Sequence, residues 1–249
     1  MEIKKHIPNL LTLGNLFCGT VAVIFALKGD YYATALLVGI GIAFDFFDGF
    51  VARILKVQGE LGKQLDSLAD MVTSGVVPGI VMMQLLINAL DTDAVGYFGV
   101  DEYGATGSNL PYIGLLLTLF AGYRLAKFNI DTRQSDSFIG LPTPAMSLFI
   151  ISLPLIVEYE GSTVLITILH NKFVLIGITL LLSVLMVAEL PLFSLKFKNP
   201  GIKGNEVKYL FLLLSLILLF IFKLTALPFI ILLYVLLSGV TNSIKKYRK

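Results

Sequence analysis

Two apolar stretches of this chain contain aspartates, and these stretches decide the fold. Residues 31–56 read YYATALLVGIGIAFDFFDGFVARILK, and residues 64–90 read QLDSLADMVTSGVVPGIVMMQLLINAL. Each is long enough to cross the hydrocarbon core of a bilayer, which takes about 20 apolar residues in a helix. A carboxylate inside such a span is costly to insert, so it normally faces the protein interior and has a partner there. The sequence therefore predicts a buried acidic site within a membrane protein.

The composition of the whole chain also indicates a membrane protein. Its 249 residues are 56% hydrophobic and 14% charged, with a mean hydropathy of +0.86, whereas soluble domains are about 25% charged. The apolar segments that are long enough to span a bilayer are 8–28, 31–56, 64–90, 111–130, 142–158, 172–195, 206–222 and 226–244. We therefore expect an all-α polytopic membrane protein with about eight transmembrane helices, built as one domain over residues 1–249.

The distribution of positive charge predicts the orientation of these spans. If both termini lie on one side, 16 of the 19 lysines and arginines fall on that side, and Lys28, Lys172 and Lys223 fall opposite. The positive-inside rule then puts both termini in the cytoplasm and the acidic loop around Asp91 outside. We expect a protein of the cytoplasmic (inner) membrane whose acidic site opens to the cytoplasm. The net charge of +2 is too small to indicate a nucleic-acid partner.

The aspartates lie in register on two successive helices. Asp45 and Asp48 are three residues apart, and Asp66 and Asp70 are four apart, so each pair shares one helix face. A short turn joins the helices, which we expect to be antiparallel neighbours with four converging carboxylates. The single Arg53 cannot neutralise four negative charges, so either some carboxylates are protonated or divalent cations lie between them. An all-oxygen site suits Mg²⁺ or Mn²⁺.

Two other interpretations of the acidic cluster stay open at this point. The aspartates could form an interhelical salt-bridge network, although the acids outnumber the bases near them in sequence. They could instead line the path of a divalent-cation transporter. Against transport, the acids lie at one depth and no series of carboxylates continues towards the outer face.

The spacing around the aspartates resembles the signature of the CDP-alcohol phosphotransferases, which exchange the CMP of a CDP-activated donor for a free hydroxyl. The matching residues, within 45–70, are Asp45-x-x-Asp48-Gly49-x-x-Ala52-Arg53 and, eight residues later, Gly62-x-x-x-Asp66-x-x-x-Asp70. The resemblance implies that the four aspartates hold two divalent cations, Mg²⁺ or Mn²⁺, and that Asp70 is also the general base. It implies contacts from Gly49, Arg53 and Gly62 to the CDP-lipid, and a homodimer.

Two flanking stretches resemble the members of that family that use serine as the acceptor. Residues 8–13 read PNLLTL, and residues 138–144 read FIGLPTP. The resemblance implies that CDP-diacylglycerol and L-serine are the substrates, that phosphatidylserine and CMP are the products, and that Pro8 and Asn9 line the CDP-lipid site. The alternative for these two residues is a proline in the first turn of a helix and a helix cap.

The predicted acceptor-binding residues are Arg124, Lys127 and Asn129, near the end of the fourth span. The guanidinium of Arg124 suits the carboxylate of serine, but Arg124 and Lys127 could also be a positive cuff at the membrane surface. Glu189 could bind the serine ammonium group or pair with a lysine such as Lys196. Glycerol 3-phosphate and inositol phosphate stay alternative acceptors, although their extra phosphate favours a pocket with several basic residues.

Overall fold

Helices make up nearly all of the described structure. The computed structural model describes residues 3–90, 109–131, 138–159, 163–193, 201 and 205–247. The acidic loop around Asp91 and the lysines Lys196, Lys198 and Lys203 lie outside the described residues. The elements in chain order are α1 (Ile3–Leu27), α2 (Tyr31–Leu55), α3 (Glu60–Met71), a π-helix (Val72–Val76), α4 (Val77–Leu90), a 3₁₀-helix (Leu110–Leu115), α5 (Leu116–Ile130), β1 (Phe138–Ile139), α6 (Thr143–Tyr159), α7 (Thr163–Leu169), α8 (Lys172–Val187), β2 (Pro191–Leu192), α9 (Glu206–Phe222), a second 3₁₀-helix (Lys223–Thr225) and α10 (Ala226–Tyr247).

The predicted all-α class is confirmed, apart from one short antiparallel pair of strands. Within the described ranges, the helical runs long and apolar enough to cross a membrane are His6–Leu27, Tyr31–Leu55, Glu60–Leu90 and Leu110–Ile130. A fifth is added if α7 and α8, which meet at an angle of 71°, count as one span. The expected eight spans and the side on which the termini lie stay predictions. The short helix α7 was not anticipated, because seven residues are too few to show a hydrophobic period.

A tight turn reverses the chain between α2 and α3. Lys56 adopts the left-handed conformation with a φ of 54°, and its N–H donates to the carbonyls of Ala52 and Arg53. Gly59 then begins α3 in an extended conformation without a side-chain cap. A left-handed residue after the last helical turn is a common way to satisfy free carbonyls and end a helix. The turn brings the acidic faces of α2 and α3 towards each other.

Helices α2 and α3 bring three of their carboxylates together, as neighbours joined by a short turn are expected to do, but with few close backbone contacts. Helix α1 packs along α2 and also contacts α3, whereas α2 and α3 have few close backbone contacts with each other. Carboxylates rather than an apolar interface lie between the two helices. Helix α1 therefore connects the two acidic helices.

Helices α1 and α2 and the π-helix cross one another close to the acidic residues. At Gly19 of α1, an added Cβ would lie 3.0 Å from the backbone of Thr73 in the π-helix. At Gly41 of α2, an added Cβ would lie 2.7 Å from Asn15 Oδ1 and 2.9 Å from Thr73 Cγ2. The two glycines thus allow α1, α2 and the π-helix to approach closely.

Pro78 accounts for the π-helix that interrupts the third span. It has no N–H to donate to the carbonyl of Ser74, four residues earlier, so the regular hydrogen-bond ladder cannot continue. Over Val72–Val76 the ladder widens to bonds between residues five apart. The hydroxyl of Thr118 on α5 donates to the carbonyl of Gly75 at 2.9 Å and satisfies one of the displaced carbonyls.

The strand pair ties the segment before α6 to the end of α8. Strand β1 pairs with β2 in antiparallel register, and the N–H groups of Gly140 and Leu141 donate to Leu190 and Leu185 at 2.9 Å. Gly140 has a φ of 76°, which favours glycine. The hydroxyl of Tyr234 on α10 donates to the carbonyl of Phe193, just after β2, at 2.9 Å. These contacts fix the start of α6.

Replacing Gly41 with alanine is expected to destabilise the protein, because the new Cβ would overlap Asn15 and Thr73. Overpacking of this kind costs about 1–3 kcal/mol in the free energy of unfolding. Gly39→Ala is the matched control, since nothing lies within 4 Å of its added Cβ. Thermal unfolding in detergent, followed by a thiol-reactive dye on the buried Cys18, measures the difference. Equal melting temperatures would contradict the close contact.

Candidate active site

Three of the four predicted metal ligands converge between α2 and α3. Carboxylate oxygens of Asp45, Asp48 and Asp66 all lie within 4.8 Å of one another. Asp48 is buried, with 6% of its surface exposed, and the other two are half-buried. The helix spacing therefore brings side chains from two helices into one compact acidic group.

Asp70 lies one helical turn beyond Asp66 and is not part of that compact group. Its Oδ1 accepts a hydrogen bond from Asn15 Nδ2 at 3.4 Å. It is still close enough to Asp45, Asp48 and Arg124 for their charges to interact with its own. The charge of Asp70 thus interacts both with the acidic group and with the Arg124 guanidinium.

The acidic group fits a divalent cation. Asp66 Oδ1 is buried and has no hydrogen-bond partner among the described residues. A buried carboxylate oxygen without a partner is costly, and a cation bound among three carboxylates would remove that cost. Oxygen ligands without sulfur or imidazole suit hard cations such as Mg²⁺ and Mn²⁺. Asp45, Asp48 and Asp66 are therefore able to hold a metal ion.

Helix α1 supports the carboxylates with polar side chains that the sequence analysis did not single out. The hydroxyl of Thr12 donates to Asp48 Oδ2 at 2.5 Å and lies 3.1 Å from the carbonyl of Pro8. One turn further along, Asn15 contacts Asp70. Asn9, Thr12 and Asn15 recur every three residues in a largely apolar span. This spacing is the feature of the sequence that indicates a polar face on α1.

The predicted CDP-lipid residues lie along two edges of the acidic group. Pro8 is buried inside α1, which begins at Ile3, so the alternative in which Pro8 starts the helix and Asn9 caps it is wrong. Asn9 Oδ1 would lie 3.4 Å from a Cβ added at Gly62, so this part of α1 meets α3. On α2, nothing lies within 4 Å of a Cβ added at Gly49, and Arg53 is exposed.

Arg124 is the predicted acceptor residue whose charge interacts with Asp70. Only 7% of its surface is exposed. It donates to Thr143 Oγ1 at 3.5 Å, and its guanidinium lies 5.9 Å from the centre of the Phe128 ring. Its Nε is buried without a hydrogen-bond partner among the described residues. The side chain therefore keeps one buried donor available.

Lys127 and Asn129 contact other protein groups. Lys127 Nζ lies 3.3 Å from Glu189 Oε1, and both side chains are partly exposed. Asn129 Nδ2 donates to Ser67 Oγ at 2.8 Å, and the Asn129 carbonyl accepts from Lys63 Nζ at 2.7 Å. Glu189 thus pairs with Lys127, and Asn129 links α5 to α3.

The match to a known family agrees with the fold and with this site. Residues 5–185 match the family model described as CDP-alcohol phosphatidyltransferase. The chain belongs to this family and is a phosphotransferase that acts on CDP-activated alcohols.

Curated relatives extend the similarity beyond the signature. The chain is 34% identical over 154 residues to a CDP-diacylglycerol–serine O-phosphatidyltransferase of Bacillus subtilis, which covers 59% of this chain and 76% of the relative. It is 30% identical over 236 residues to the protein of that name from Helicobacter pylori, covering 92% and 87% of the two chains. An archaetidylserine synthase of Methanothermobacter thermautotrophicus is 27% identical over 187 residues, covering 74% and 68%. Together with the apolar helices, these relatives indicate an integral membrane protein.

Asp66→Asn is expected to weaken Mn²⁺ binding, because it removes one charge from the acidic group. Residues that merely support metal ligands already change metal affinity by about 10–100-fold, so we expect a loss of at least about 100-fold. Asp30→Asn is the control, since Asp30 caps α2 at its opposite end and asparagine also caps helices. Isothermal titration of the purified protein with Mn²⁺ measures the affinity. An unchanged affinity in Asp66→Asn would contradict the proposed metal site.

Proposed function

We propose that this enzyme transfers the phosphatidyl group of CDP-diacylglycerol to L-serine, giving phosphatidylserine and CMP. The observation that carries the proposal is the buried Arg124, whose Nε has no partner among the described residues and whose charge interacts with that of Asp70. A guanidinium suits the carboxylate of the acceptor, and a neighbouring aspartate suits the proton of its hydroxyl. The names of the relatives from Bacillus subtilis and Helicobacter pylori support serine as the acceptor.

The donor side of the proposal rests on the acidic group. We propose that Asp45, Asp48, Asp66 and Asp70 hold two divalent cations, Mg²⁺ or Mn²⁺, with three of these carboxylates already in one group. Bound cations would offset the negative charge of the diphosphate and of the departing CMP. The exposed guanidinium of Arg53 is available to the diphosphate, and the open space at Gly49 lets the donor approach α2.

Asp70 is the proposed general base of the transfer. It takes the proton from the serine hydroxyl while that oxygen forms a bond to the phosphorus of the phosphatidyl group. The bond between this phosphorus and the oxygen of CMP breaks, and CMP leaves with the electron pair. The hydrogen bond from Asn15 engages only Oδ1 of Asp70, so Oδ2 remains for the proton.

The surroundings of Arg124 favour a carboxylate over a phosphate-bearing acceptor. Glycerol 3-phosphate or inositol phosphate would need several cations in one pocket. Lys127, one turn from Arg124, pairs with Glu189, and Lys63 donates to the Asn129 carbonyl. Arg124 thus remains as the buried cation beside Asp70 in the described part of the site.

The proposed site opens towards the cytoplasm of the inner membrane. Lys63 of α3 contacts the end of α5, so the ends of these helices that carry Arg53, Lys56, Lys63 and Lys127 lie on one side. The positive-inside rule makes that side cytoplasmic, where serine and CMP exchange while the acyl chains stay in the bilayer. The single domain over residues 1–249 and the homodimer stay predictions from sequence.

Asp70→Asn is expected to lower the rate of CMP release by about 100- to 10,000-fold, the usual contribution of a general base. The assay follows labelled CDP-diacylglycerol with serine, glycerol 3-phosphate or inositol phosphate as the acceptor, and Asp30→Asn is the control. CMP release that requires glycerol 3-phosphate but not serine would overturn the serine assignment. Divalent-metal flux across vesicles without CMP formation would favour a transporter.

Arg124→Lys is expected to raise the KM for serine by about 10–100-fold, because a charged hydrogen bond contributes about 1.5–3 kcal/mol and lysine lacks the planar fork. The KM for CDP-diacylglycerol should stay unchanged. Arg53→Lys is the matched variant and should show the reverse pattern, a higher KM for the donor only. Initial rates with each substrate varied in turn separate the two effects. Equal effects on both KM values in Arg124→Lys would argue against acceptor binding.

A further inference from the structure

A buried polar pair connects α1 and the π-helix to Asp70. Thr73 Oγ1 lies 2.8 Å from Asn15 Oδ1, and Asn15 Nδ2 lies 3.4 Å from Asp70 Oδ1. Asn15 and Thr73 each have 0% of their surface exposed. The three side chains therefore form a continuous series of hydrogen bonds that ends on the carboxylate.

The carboxylate of Asp70 and the hydroxyl of Thr73 together decide which way the Asn15 amide points. An ionised carboxylate only accepts, so the amide NH₂ faces Asp70, and the amide oxygen accepts the proton of the Thr73 hydroxyl. In the opposite orientation the amide oxygen would face a carboxylate oxygen, and two acceptors would meet without a proton between them. The observed orientation therefore presents a donor to Asp70 Oδ1.

Close packing holds the pair in this geometry. The glycine at position 41 leaves the space that Asn15 Oδ1 and the Thr73 methyl group occupy, and Gly19 lets the Thr73 backbone approach α1. Thr73 Oγ1 is also 3.2 Å from the Asn15 carbonyl. Buried side chains at such a crossing have little freedom to rotate, so the donor to Asp70 stays in place.

We infer that Asn15 and Thr73 are positioning residues for Asp70. Thr73 orients the Asn15 amide, and Asn15 holds Oδ1 of Asp70 so that Oδ2 points to the acceptor hydroxyl. The inference rests on the proposed function, in which Asp70 is the general base. It assigns a role in the transfer to two residues outside the signature at 45–70, one of them in the π-helix.

A double-mutant cycle tests the inference on the full chain in lipid nanodiscs. Asn15→Leu and Thr73→Val remove the hydrogen bonds at nearly constant volume, and each should lower the kcat for CMP release by about 10–100-fold, as expected for groups that orient a reacting residue. The KM values for serine and donor should change by less than about threefold. Thr73→Ser keeps the hydroxyl and should restore most of the kcat.

The double variant provides the sharpest outcome. Because Thr73 acts through Asn15, adding Thr73→Val to Asn15→Leu should cause no further loss of kcat, whereas independent structural effects would multiply. Thr34→Val is the matched control, since Thr34 is equally buried and its hydroxyl donates to the Asp30 carbonyl at the far end of α2. All rates are compared below the lowest melting temperature of the set.

The results separate this inference from the proposed function. Wild-type CMP release in Asp70→Asn would overturn the role of Asp70 and the inference with it. An inactive Asp70→Asn, together with wild-type kcat in Asn15→Leu and Thr73→Val, would overturn the inference alone. Multiplying losses in the double variant, or a loss in Thr34→Val as large as in Thr73→Val, would also overturn it.

Discussion

In this membrane protein, carboxylate oxygens of Asp45, Asp48 and Asp66 lie within 4.8 Å of one another. Their mutual repulsion is the constraint on which the contacts around the site depend. Two like charges 4 Å apart repel by about 4 kcal/mol at an effective dielectric constant of 20. A group of three therefore needs either a proton on some of its oxygens or a cation among them. In the described part of the chain, α2 and α3 have few close backbone contacts with each other, and the carboxylates lie between them.

Helix α1 provides the support that α2 and α3 do not give each other. It contacts both of them, and its polar side chains, Thr12 and Asn15, donate to one carboxylate on each. Such donors stabilise negative charge without adding a competing cation. The first helix thus holds the acidic residues of the signature in position, although it lies outside that signature in sequence.

The sequence predicts which residues share a helix face but not which contacts form between distant elements. Helix periodicity is a local property, so the spacing of Asp45 and Asp48 places them on one face of α2, and the short turn before α3 brings Asp66 towards that face. The sequence does not show which of Arg124 and Lys127 is buried at the site and which lies near the membrane surface, since both are near the end of one span. The structure buries Arg124 and pairs Lys127 with Glu189, a contact that depends on how α5 and α8 pack.

The roles of the polar residues of α1 and the position at which α1 begins are also not predicted from the sequence. The role of Thr12, Asn15 and Thr73 depends on the crossing of three elements, which no single segment reveals. Pro8 suggested the beginning of a helix because proline is common in the first turn. Helix α1 begins five residues earlier, at Ile3, and the bond that the proline cannot make belongs to the exposed first turn around Lys4, where water can satisfy the carbonyl.

The π-helix at Val72–Val76 fixes the number of residues between the acidic part of the third span and its apolar part. Each residue of an α-helix turns the chain by about 100°. Deleting one residue from this segment would therefore rotate Asp66 and Asp70 away from α2 relative to α4. The number of residues in this segment therefore sets the direction in which the aspartates point, in addition to the residue types at positions 66 and 70.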